Sequence, residues 1–555
     1  MIDVRLKDGN RKKFSGTGGL GLVASRLTLE GPIVEDKGSF IVSGRRTYVD
    51  VITRQVNRAN EGNENYNPIP DYYFYDLNMK ANYDLGENDR IFLSGYLGRD
   101  FFTFGNGDFN VNFDWGNTTT TARWNHVFNP QLFMNTTVTY SDYDYTLSNK
   151  FGDFAFELGS GIEDQAAKVD FSYTPNNDHF IQFGVSSTYH KFDIGRANAD
   201  SESGVIEFSS GQKHYAWEFG AYVADEWEVN EKLKLDFGLR ASGFYNDEKF
   251  YYGLEPRFAS KYSVSENVSV KASYARMYQY IHLVSNSGAS LPTDIWYPSD
   301  QVVAPQFSDQ VAAGVSIALG ENYLLSNEVY YKWLGNQVDF KDNANLFLND
   351  KLNEEFVFGK GWAYGNEIYI EKKNGKFTGW VGYTLSWSWR QFEDILDGEA
   401  FPYRNDRRHD ASVVTMYEIN SRFTVTASWV YSTGNASTVP EGYFIVQKPQ
   451  GEGITIVPTY VPRNSYRVPA YHRMDIGFVW NFKHKWGKSD LTFSAYNAYN
   501  RKNPYFIYVD DNRQDIIDAN DGQPLGADDF SELEFTPTQV SLFPIIPSVT
   551  WNFSF

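Results

Sequence analysis

Apolar and polar positions alternate strictly in many segments of the chain, up to its last residue. The stretch 547–555 (PSVTWNFSF) places Trp551 and Phe553 on one face of an extended chain and Asn552 and Ser554 on the other. Successive side chains of a β-strand point to opposite faces of the sheet. The alternation therefore predicts an all-β chain whose strands have one apolar and one polar face. The same pattern recurs in four further segments, 233–241, 377–389, 423–431 and 472–482.

The polar face carries charges in the middle of strands, for example Asp236 and Arg240. Charged side chains at such depth would be costly if they faced lipid, so the polar face must be hydrated or covered by protein. A sheet that is apolar on one side and charged on the other fits a closed barrel with its apolar side in a membrane. Closure requires the final strand to pair with the first.

The connections between strands alternate between short and long. Pairing the segments predicts an antiparallel up-and-down barrel of about 22 strands, a size class with a wide lumen. No linker divides the chain, so residues 1–555 are expected to form a single barrel domain. The predicted tight turns are near Gly86, Asn129, Thr174, Val229, Ser265, Gly320, Lys373 and Ile419. The predicted long loops are 51–76, 192–213, 279–307, 334–359, 391–409, 433–467 and 502–543.

Composition supports a membrane barrel. Aromatic residues make up 17% of the 555 residues, as two interfacial girdles of rings would require. Mean hydropathy is −0.48, and no run approaches the roughly 18 apolar residues of a membrane helix. A secreted sugar-binding β-protein has a similar composition and stays open as an alternative.

Charge and cysteine content exclude several classes of function. The net charge of −20 argues against nucleic acid as a partner. The chain has no cysteine, which removes disulfides, thiolate catalysis and Cys-based zinc sites. The first residues, MIDVRLKDGN, do not resemble a signal peptide and read as the end of a strand. The chain is therefore expected to begin within the first barrel strand of a longer protein.

Five segments, taken together in order, resemble the barrel of TonB-dependent outer-membrane receptors. They are GSFIVSGRRTYVD (38–50), FPYRNDRRHD (401–410), STGNASTVPEG (432–442), YNAYNRKNPYF (496–506) and the closing aromatic strand. The similarity is greatest to the Bacteroidota type, which carries a carboxypeptidase-regulatory-like domain ahead of the plug. The resemblance covers essentially the whole chain, but the plug and the TonB box have no counterpart in it.

The resemblance implies a 22-stranded barrel with short periplasmic turns and long extracellular loops in the outer membrane of a Gram-negative cell. Substrate would bind to the loops and the plug apex. Import would be driven by a TonB complex acting through the N-terminal region that this sequence lacks. The implied partners are outer-membrane lipid, the TonB complex, the imported ligand and, as a further candidate, a surface lipoprotein.

The segment RNDRRHD (404–410) is the densest cluster of charged groups in the chain. Arginine presents a fork suited to carboxylate or phosphate, so the segment is a candidate ligand contact at the outer loops. The structural alternative is a network that pins a loop at the barrel rim. One histidine between acidic residues is a poor metal site, and no metal is predicted. The candidate contacts are Arg404, Asn405, Arg407, Arg408 and His409.

Aromatic residues in two predicted loops form a second candidate site. Rings with polar neighbours can stack on sugars, haem or aromatic chelators, and the alternative is an outer girdle or simple loop packing. The candidates are Tyr66, Tyr72, Tyr73, Trp296 and Tyr297.

The stretch 510–534 is strongly acidic and could supply oxygen ligands to Ca²⁺. It lacks the ligand spacing of an EF-hand, so a solvated surface loop is the favoured interpretation. No catalytic motif is present among the scattered histidines or elsewhere, and neither an enzyme activity nor a cofactor is predicted.

The sequence thus predicts an outer-membrane barrel for TonB-dependent uptake of a bulky nutrient such as a siderophore, an oligosaccharide or a peptide. A passive porin-like channel is the alternative from another class, and the secreted glycan-binding protein is a third. Polar substitution of the apolar face, at Trp551 or Leu235, is expected to impair assembly, whereas Asn552→Arg or Asp236→Asn is expected to be tolerated.

Overall fold

The structure is a computed structural model, and it describes most of the chain. The described residues are 6–63, 69–106, 109–151, 154–201, 207–246, 249–284, 295–342, 344, 351–447, 454–460, 462–512, 516, 533–541 and 543–555.

Strands dominate the described residues. In chain order they begin with β1 (Ser15–Gly21), β2 (Ala24–Val34), β3 (Gly38–Thr47), β4 (Asp71–Asp84), β5 (Asp89–Asn106), β6 (Phe109–Asn129), β7 (Leu132–Phe151), β8 (Phe154–Tyr173), β9 (His179–Ser201), β10 (Glu207–Asn230), β11 (Leu233–Asn246), β12 (Phe250–Ser265), β13 (Val268–Gln279), β14 (Ile281–Val284) and β15 (Ile295–Pro298). They continue with β16 (Gln306–Leu319), β17 (Tyr323–Phe340), β18 (Phe356–Lys372), β19 (Phe377–Phe392), β20 (Ala400–Pro402), β21 (His409–Asn420), β22 (Phe423–Ser432), β23 (Ala436–Ser437), β24 (Pro440–Gln447), β25 (Ile454–Tyr460), β26 (Tyr466–Arg467), β27 (Tyr471–Lys483), β28 (Lys488–Tyr496), β29 (Phe506–Asp511), β30 (Phe535–Val540) and β31 (Ile546–Ser554).

Helical structure is confined to the connections. An α-helix, α1 (Val49–Ala59), lies between β3 and β4, and 3₁₀ turns occupy Leu352–Glu355 and Leu396–Gly398. Within the part of the chain that the structure describes, no helix is both long and apolar enough to cross a membrane.

Twenty-two of the described strands form one closed antiparallel wall. Each wall strand pairs with its neighbours along the chain, and β31 closes the barrel by pairing with β28 on one side and β1 on the other. In that closing pair Trp551 lies opposite Leu20. The predicted fold class, strand number and closure are confirmed. The short strands outside the wall lie in the longer connections.

The outer surface of the wall is a belt of exposed apolar side chains. Trp551 is 40% exposed, whereas its neighbour Asn552 faces inward and donates from Nδ2 to Asp490 Oδ2 at 2.7 Å. A wall that is apolar outside and hydrogen-bonded inside is stable only with lipid around it. The predicted facing of the strands is confirmed. Other exposed members of this outer belt include Leu93, Val138, Val223, Leu239, Val381 and Ile476.

All eight predicted tight turns lie at one rim, and asparagine organises several of them. The Oδ1 atom of Asn129 accepts from the backbone N–H groups of Gln131 and Leu132 at 2.9 and 3.1 Å. Asn176, Asn230 and Asn420 repeat this arrangement in the turns after β8, β10 and β21. A side chain that caps its own turn in this way fixes the loop without further residues.

Two predictions about the connections were wrong. The stretch 192–213 is mostly strand, because β9 runs to Ser201 and β10 resumes at Glu207. The connection 334–359 is shorter than predicted, because β17 runs to Phe340 and β18 begins at Phe356. These strand ends extend beyond the apolar belt, where outward side chains need not be apolar. The alternation of apolar and polar residues therefore stops. Backbone pairing continues where the side-chain pattern has stopped.

The expectation that the chain begins inside the first strand was also wrong. β1 starts at Ser15, and residues 6–14 run along the inner wall before it. Asp8 pairs with Lys80 Nζ at 2.5 Å, and Arg11 pairs with Asp84 at 2.7 Å. The charges of Asp8 and Arg11 thus serve contacts with the inside of the wall and not a strand edge.

Candidate functional site

A cavity of about 1350 Å³ occupies the lumen. Inward side chains of strands β4 to β13 line it, together with residues Leu6 and Asp8 of the segment ahead of β1. The wall is polar because every second residue of these strands faces inward. Its charged lining residues are Lys80, Arg123, Lys168, Arg240, Arg257, Asp8, Asp170 and Glu255.

A buried carboxylate organises the charges on one side of this cavity. Glu255 is 2% exposed and accepts from Arg240 at 2.5 Å and from Arg257 at 3.4 Å. Arg240 also donates to Glu218 at 3.2 Å. The buried carboxylate fixes the directions of both guanidinium groups, because charge-assisted hydrogen bonds of this kind are strong and directional. The cluster gives the lumen a fixed pattern of hydrogen-bond donors.

A second group of cations lies around a ring. The guanidinium carbon of Arg123 is 4.3 Å from the centre of the Phe92 ring, and Lys80 Nζ is 5.3 Å from it. The ring face attracts both cations. Residues Lys80, Phe92 and Arg123 all line the cavity, so this side combines an aromatic surface with positive charge.

The described residues of the connection between β13 and β16 fold into the barrel. Hydrogen bonds from the residues that flank its hairpin, β14 and β15, fix it to the inner wall. The Tyr280 hydroxyl lies 2.8 Å from Ser242 Oγ, Asn246 Nδ2 donates to the Ser299 carbonyl at 2.6 Å, and the Tyr251 hydroxyl donates to the Asp300 carbonyl at 2.8 Å. The hairpin is therefore part of the lumen and not a free loop.

An apolar core holds the same hairpin against strands on both sides. Tyr280 stacks on Phe244 with 5.2 Å between ring centres, and Tyr297 meets Phe356 edge-on at 5.0 Å. Burial of such rings is the main favourable term in packing a loop of this size. The buried members of the core are Phe192, Ile194, Ala216, Phe244, Tyr280, Val284, Ile295, Tyr297, Val303, Phe340, Leu352 and Phe356.

One histidine lies inside this core. His282 is fully buried, and its Nε2 is 2.9 Å from Ser299 Oγ, while its Nδ1 has no hydrogen-bond partner. Burial lowers the pKa of His282 to about 4, against a smaller opposing effect of Asp300. The hairpin therefore holds a neutral imidazole at physiological pH.

The predicted aromatic site is divided by the structure. Tyr297 is buried in the hairpin core, and its hydroxyl donates to Asp300 Oδ2 at 2.7 Å, while Trp296 is only partly buried. Tyr72 faces inward and donates to Asp100 Oδ1 at 2.7 Å. Tyr73 faces outward, where it stacks on Phe101 at 4.7 Å. Tyr66 lies outside the described residues.

The carboxylate of the charged motif is Asp406, whereas position 405 is the exposed Asn405. Asp406 is 2% exposed and accepts from Ser388 N at 2.6 Å, from Arg408 at 3.2 Å and from Arg467. A buried carboxylate with three donors ties the loop before β21 to β19 and to the loop before β27. The arrangement matches the rim network that the sequence offered as the alternative to a ligand site.

The remaining members of the motif point in different directions. Arg407 is exposed, and its Nε donates to Asn435 Oδ1 at 2.9 Å. Arg408 lies over the ring of Trp387 at 4.6 Å. His409 Nδ1 is 2.8 Å from the Tyr383 hydroxyl, on the outward face of β19. The carbonyl of Arg404 accepts from Ala436 N at 3.1 Å.

A buried arginine that was not predicted joins two extracellular loops. Arg463 is 5% exposed and donates to Asp339 at 2.7 Å, to Asp342 at 3.0 Å and to the Phe340 carbonyl at 2.9 Å. These partners lie at the end of β17 and just beyond it. The loop before β27 is therefore held against the connection between β17 and β18. No sequence pattern indicates this pair, since its members are more than a hundred residues apart.

The cavity residues were likewise missed as a set, although Asp236 and Arg240 had been placed on the polar face. Charged residues at alternate positions of predicted strands were the available signal. Of the acidic stretch, Asp510 and Asp511 belong to β29, whereas Asp515, Asp518, Asp521, Asp528 and Asp529 lie outside the described residues. Among the residues that are described, no group of three or more His, Cys, Asp or Glu side chains could hold a metal ion.

Comparisons with known proteins give a family and a fold. A family model described as TonB dependent receptor-like, beta-barrel matches residues 50–500. No curated protein matches the sequence.

Among solved structures, the ferric-catecholate import receptor Fiu from E. coli K12 has a TM-score of 0.65 and 14% identity over 99% of this chain and 82% of its own. The ferric yersiniabactin uptake receptor FyuA from Yersinia pestis has a TM-score of 0.66 and 11% identity, and the match covers 99% of this chain and 81% of the FyuA chain. The copper transporter OprC gives the same four values as FyuA. At these identities the similarity establishes the fold.

Proposed function

The chain belongs to the family of TonB-dependent receptor-like β-barrels, and from this premise we propose that it takes up a bulky nutrient across the outer membrane. Membership of the family makes it an outer-membrane receptor barrel, in a family of transporters and not of enzymes. In the proposal, the extracellular loops bind the substrate and the polar lumen conducts it. No catalytic step is assigned to any residue.

The lumen is the observation that carries this proposal. Its cavity of about 1350 Å³ exceeds the roughly 300–1,000 Å³ of ordinary small-molecule pockets. The fixed donors around Glu255 and the ring and cations around Phe92 suit a hydrophilic substrate with several acceptor groups. Iron chelates, haem, oligosaccharides, peptides and cobalamin are the candidate classes, and the named transport roles of Fiu and FyuA support an iron chelate among them.

The partners belong to the proposal as well. Energy would come from a TonB complex that engages a region outside this sequence, and a surface lipoprotein is a candidate partner at the loops. The finer resemblance, to the Bacteroidota type with a carboxypeptidase-regulatory-like domain, is tested by reading the gene upstream of the Met1 codon. A signal peptide, that domain and a plug are expected, and a stop codon without them would contradict this part.

Uptake itself is tested in cells that express the full-length gene. Labelled haemin, a ferric catecholate, maltoheptaose, an oligopeptide and cyanocobalamin are supplied one at a time, with and without a protonophore. One probe is expected to accumulate, and a protonophore or loss of TonB should abolish its accumulation. Entry of several small probes regardless of the protonophore would support a passive channel and contradict the proposal.

The loop residues predicted from the sequence remain candidates for first contact with the substrate. Arg407 is the best placed of them, because it is exposed and lies among the extracellular loops. Replacing Arg407 by alanine should weaken binding of the transported probe to whole cells. Arg422→Ala is the matched control, because Arg422 is an exposed arginine in a turn at the opposite rim. Equal binding by both variants would remove Arg407 from the proposed site.

A further inference from the structure

The helix α1, in the extracellular connection between β3 and β4, has its polar face turned towards the protein. Asp50 is 2% exposed and Thr53 is 7% exposed. On the opposite face Val51 is 48% exposed and Ile52 is 51% exposed, and Val56 is exposed as well. A helix on a water-soluble surface buries its apolar stripe and exposes its polar one. In α1 this order is reversed.

The polar side of the helix contacts the start of β4 and the residues just before it. Thr53 Oγ1 donates to Asp71 Oδ1 at 2.6 Å, and Arg54 Nε donates to Asp71 Oδ2 at 2.7 Å. The Asn57 side chain donates to the Ile69 carbonyl at 2.8 Å and accepts from its N–H at 2.9 Å. These contacts fix the rotation of the helix, so the outward direction of its apolar face is a property of the fold.

The surroundings of α1 connect it with the lipid-facing belt. The guanidinium of Arg46, just before the helix, lies 5.0 Å from the centre of the outward ring of Tyr73. Tyr48 N donates to the Val23 carbonyl at 3.0 Å, which places the start of α1 beside the tip between β1 and β2. At that tip Leu20 and Leu22 are exposed, and Leu20 lies opposite Trp551 of the belt. The apolar surface therefore continues from the wall to the helix.

We propose that α1 is an interfacial anchor whose apolar face, formed by Val51, Ile52 and Val56, is inserted into the outer leaflet of the membrane. Its occupant is lipid with anionic phosphate headgroups. Interfacial helices of this kind bury an apolar face at the boundary between headgroups and acyl chains, and basic residues flank that face. Arg58 flanks it here and is exposed. The anchor holds the β3–β4 connection down on the membrane beside the closing strands.

The chain has no cysteine, so single cysteines can carry nitroxide labels without other changes. The labelled full chain is reconstituted in vesicles of phosphatidylcholine with a minor share of phosphatidylglycerol. Collision of the label with oxygen and with a water-soluble nickel chelate then reports its depth. Ile52→Cys and Val56→Cys are the test sites. Trp551→Cys is the lipid reference, and Glu61→Cys, just after the helix, is the water reference.

We expect the oxygen-to-nickel collision ratio at Ile52→Cys and Val56→Cys to be severalfold higher than at Glu61→Cys and close to that at Trp551→Cys. A ratio equal to that of Glu61→Cys would overturn the proposal. So would spin–spin broadening at Ile52→Cys that grows with the protein-to-lipid ratio, because the face would then be covered by a second copy of the chain.

The headgroup contact is tested separately with Arg58→Gln, in the background of Ile52→Cys. The substitution should lower the collision ratio in vesicles that contain phosphatidylglycerol and leave it unchanged in pure phosphatidylcholine. Since Arg58 is exposed and lies at the end of the helix, the fold does not depend on its side chain. An unchanged ratio in both kinds of vesicle would exclude the phosphate contact.

Discussion

Two extracellular connections of this barrel, helix α1 and the β14–β15 hairpin, have opposite orientations. The hairpin turns its apolar residues into the lumen, where Tyr280 and Tyr297 are both 2% exposed. The helix turns its polar residues to the protein and its apolar residues away from it. Both segments are amphipathic in sequence, and both are held to the wall by side-chain hydrogen bonds.

The difference shows that an amphipathic sequence determines which side chains share an apolar face. It does not determine whether that face packs on protein or meets lipid. In the hairpin the apolar face meets other rings of the barrel, so its stability comes from a core of the ordinary kind. In the helix the apolar residues Val51, Ile52 and Val56 are exposed. The outer face of the surrounding wall is itself apolar, which indicates that the apolar face of α1 shares the lipid environment of the wall. The following four predictions test this contrast.

The largest effect is expected in the hairpin core. Tyr280→Ala removes a ring stacked on Phe244 and should destabilise the hairpin by about 3–5 kcal/mol, as for other large-to-small changes of aromatic residues. Tyr280→Phe keeps the ring and loses the contact with Ser242, at a cost of about 1 kcal/mol. Hydrogen exchange of residues 281–284 and 295–298 measures both. Unchanged exchange in the alanine variant would show that the core does not hold the hairpin.

A comparable effect is expected on the wall. Trp551→Arg places a cation in the lipid-facing belt and should cost about 2–4 kcal/mol if that position lies at mid-bilayer. Asn552→Arg, one residue on, faces inward towards Asp490 and should be tolerated. Urea unfolding in lipid vesicles gives the two free energies of unfolding. If the tolerances were reversed, the facing of β31 would be wrong.

The hairpin should also weaken in acid. The pKa of His282 in the folded hairpin is about 4, below its ordinary value of 6.5. Above pH 6.5 the imidazole is neutral in both states, and the full stability is present. Between pH 6.5 and 4 the opened hairpin binds a proton that the folded one does not, so stability falls, by on the order of 3 kcal/mol in total.

Hydrogen exchange of the hairpin at pH 7 and pH 4.5, corrected for the intrinsic rate, measures this loss. The control is His282→Asn, which cannot take up a proton. Its hairpin should show the same protection at both values of pH. A wild-type hairpin that keeps its protection in acid would contradict the burial of a neutral imidazole.

The smallest effect is expected in α1. Ile52→Asp places a carboxylate at the membrane boundary and should cost about 1 kcal/mol or less, because polar groups are tolerated near the interface. Gln55→Asp, at an exposed position of the same outward face that is already polar, is the control for charge. Comparison of the free energy of unfolding in vesicles with that in detergent separates the contribution of lipid. A loss in detergent equal to that in lipid would show that Ile52 supports the fold and not the anchor.

The wall was predictable because its pattern is local. Alternation in segments such as 233–241 and 547–555 predicts the strands and which side chains point to lipid. The short turns between them, which contain asparagine, predict which strands pair as hairpins. Above the lipid this signal disappears, and the sequence there predicts a loop where the structure has the upper parts of β9 and β10. The same locality explains the error at residues 6–14, where Asp8 and Arg11 are paired with Lys80 and Asp84 on another part of the chain.

The candidate site was predicted less well, because its residues depend on long-range contacts. RNDRRHD was identified as a cluster, but the role of Asp406 depends on Arg467 and Ser388. Trp296 and Tyr297 were identified as loop rings, yet the loop that carries them folds into the lumen. The helix α1 fell within a predicted loop, since 11 residues with the apolar face outward give no sign of a soluble core.

One measurement tests the contrast between the two connections most directly. The unaltered protein in lipid vesicles is exposed to a photoactivated carbene probe dissolved in the acyl chains, and the modified residues are identified by peptide mass spectrometry. The label is expected on the outward positions of the wall and on Val51, Ile52 and Val56 of α1, and not on residues 281–284 or 295–298. Label in the hairpin, or its absence from α1, would contradict the account.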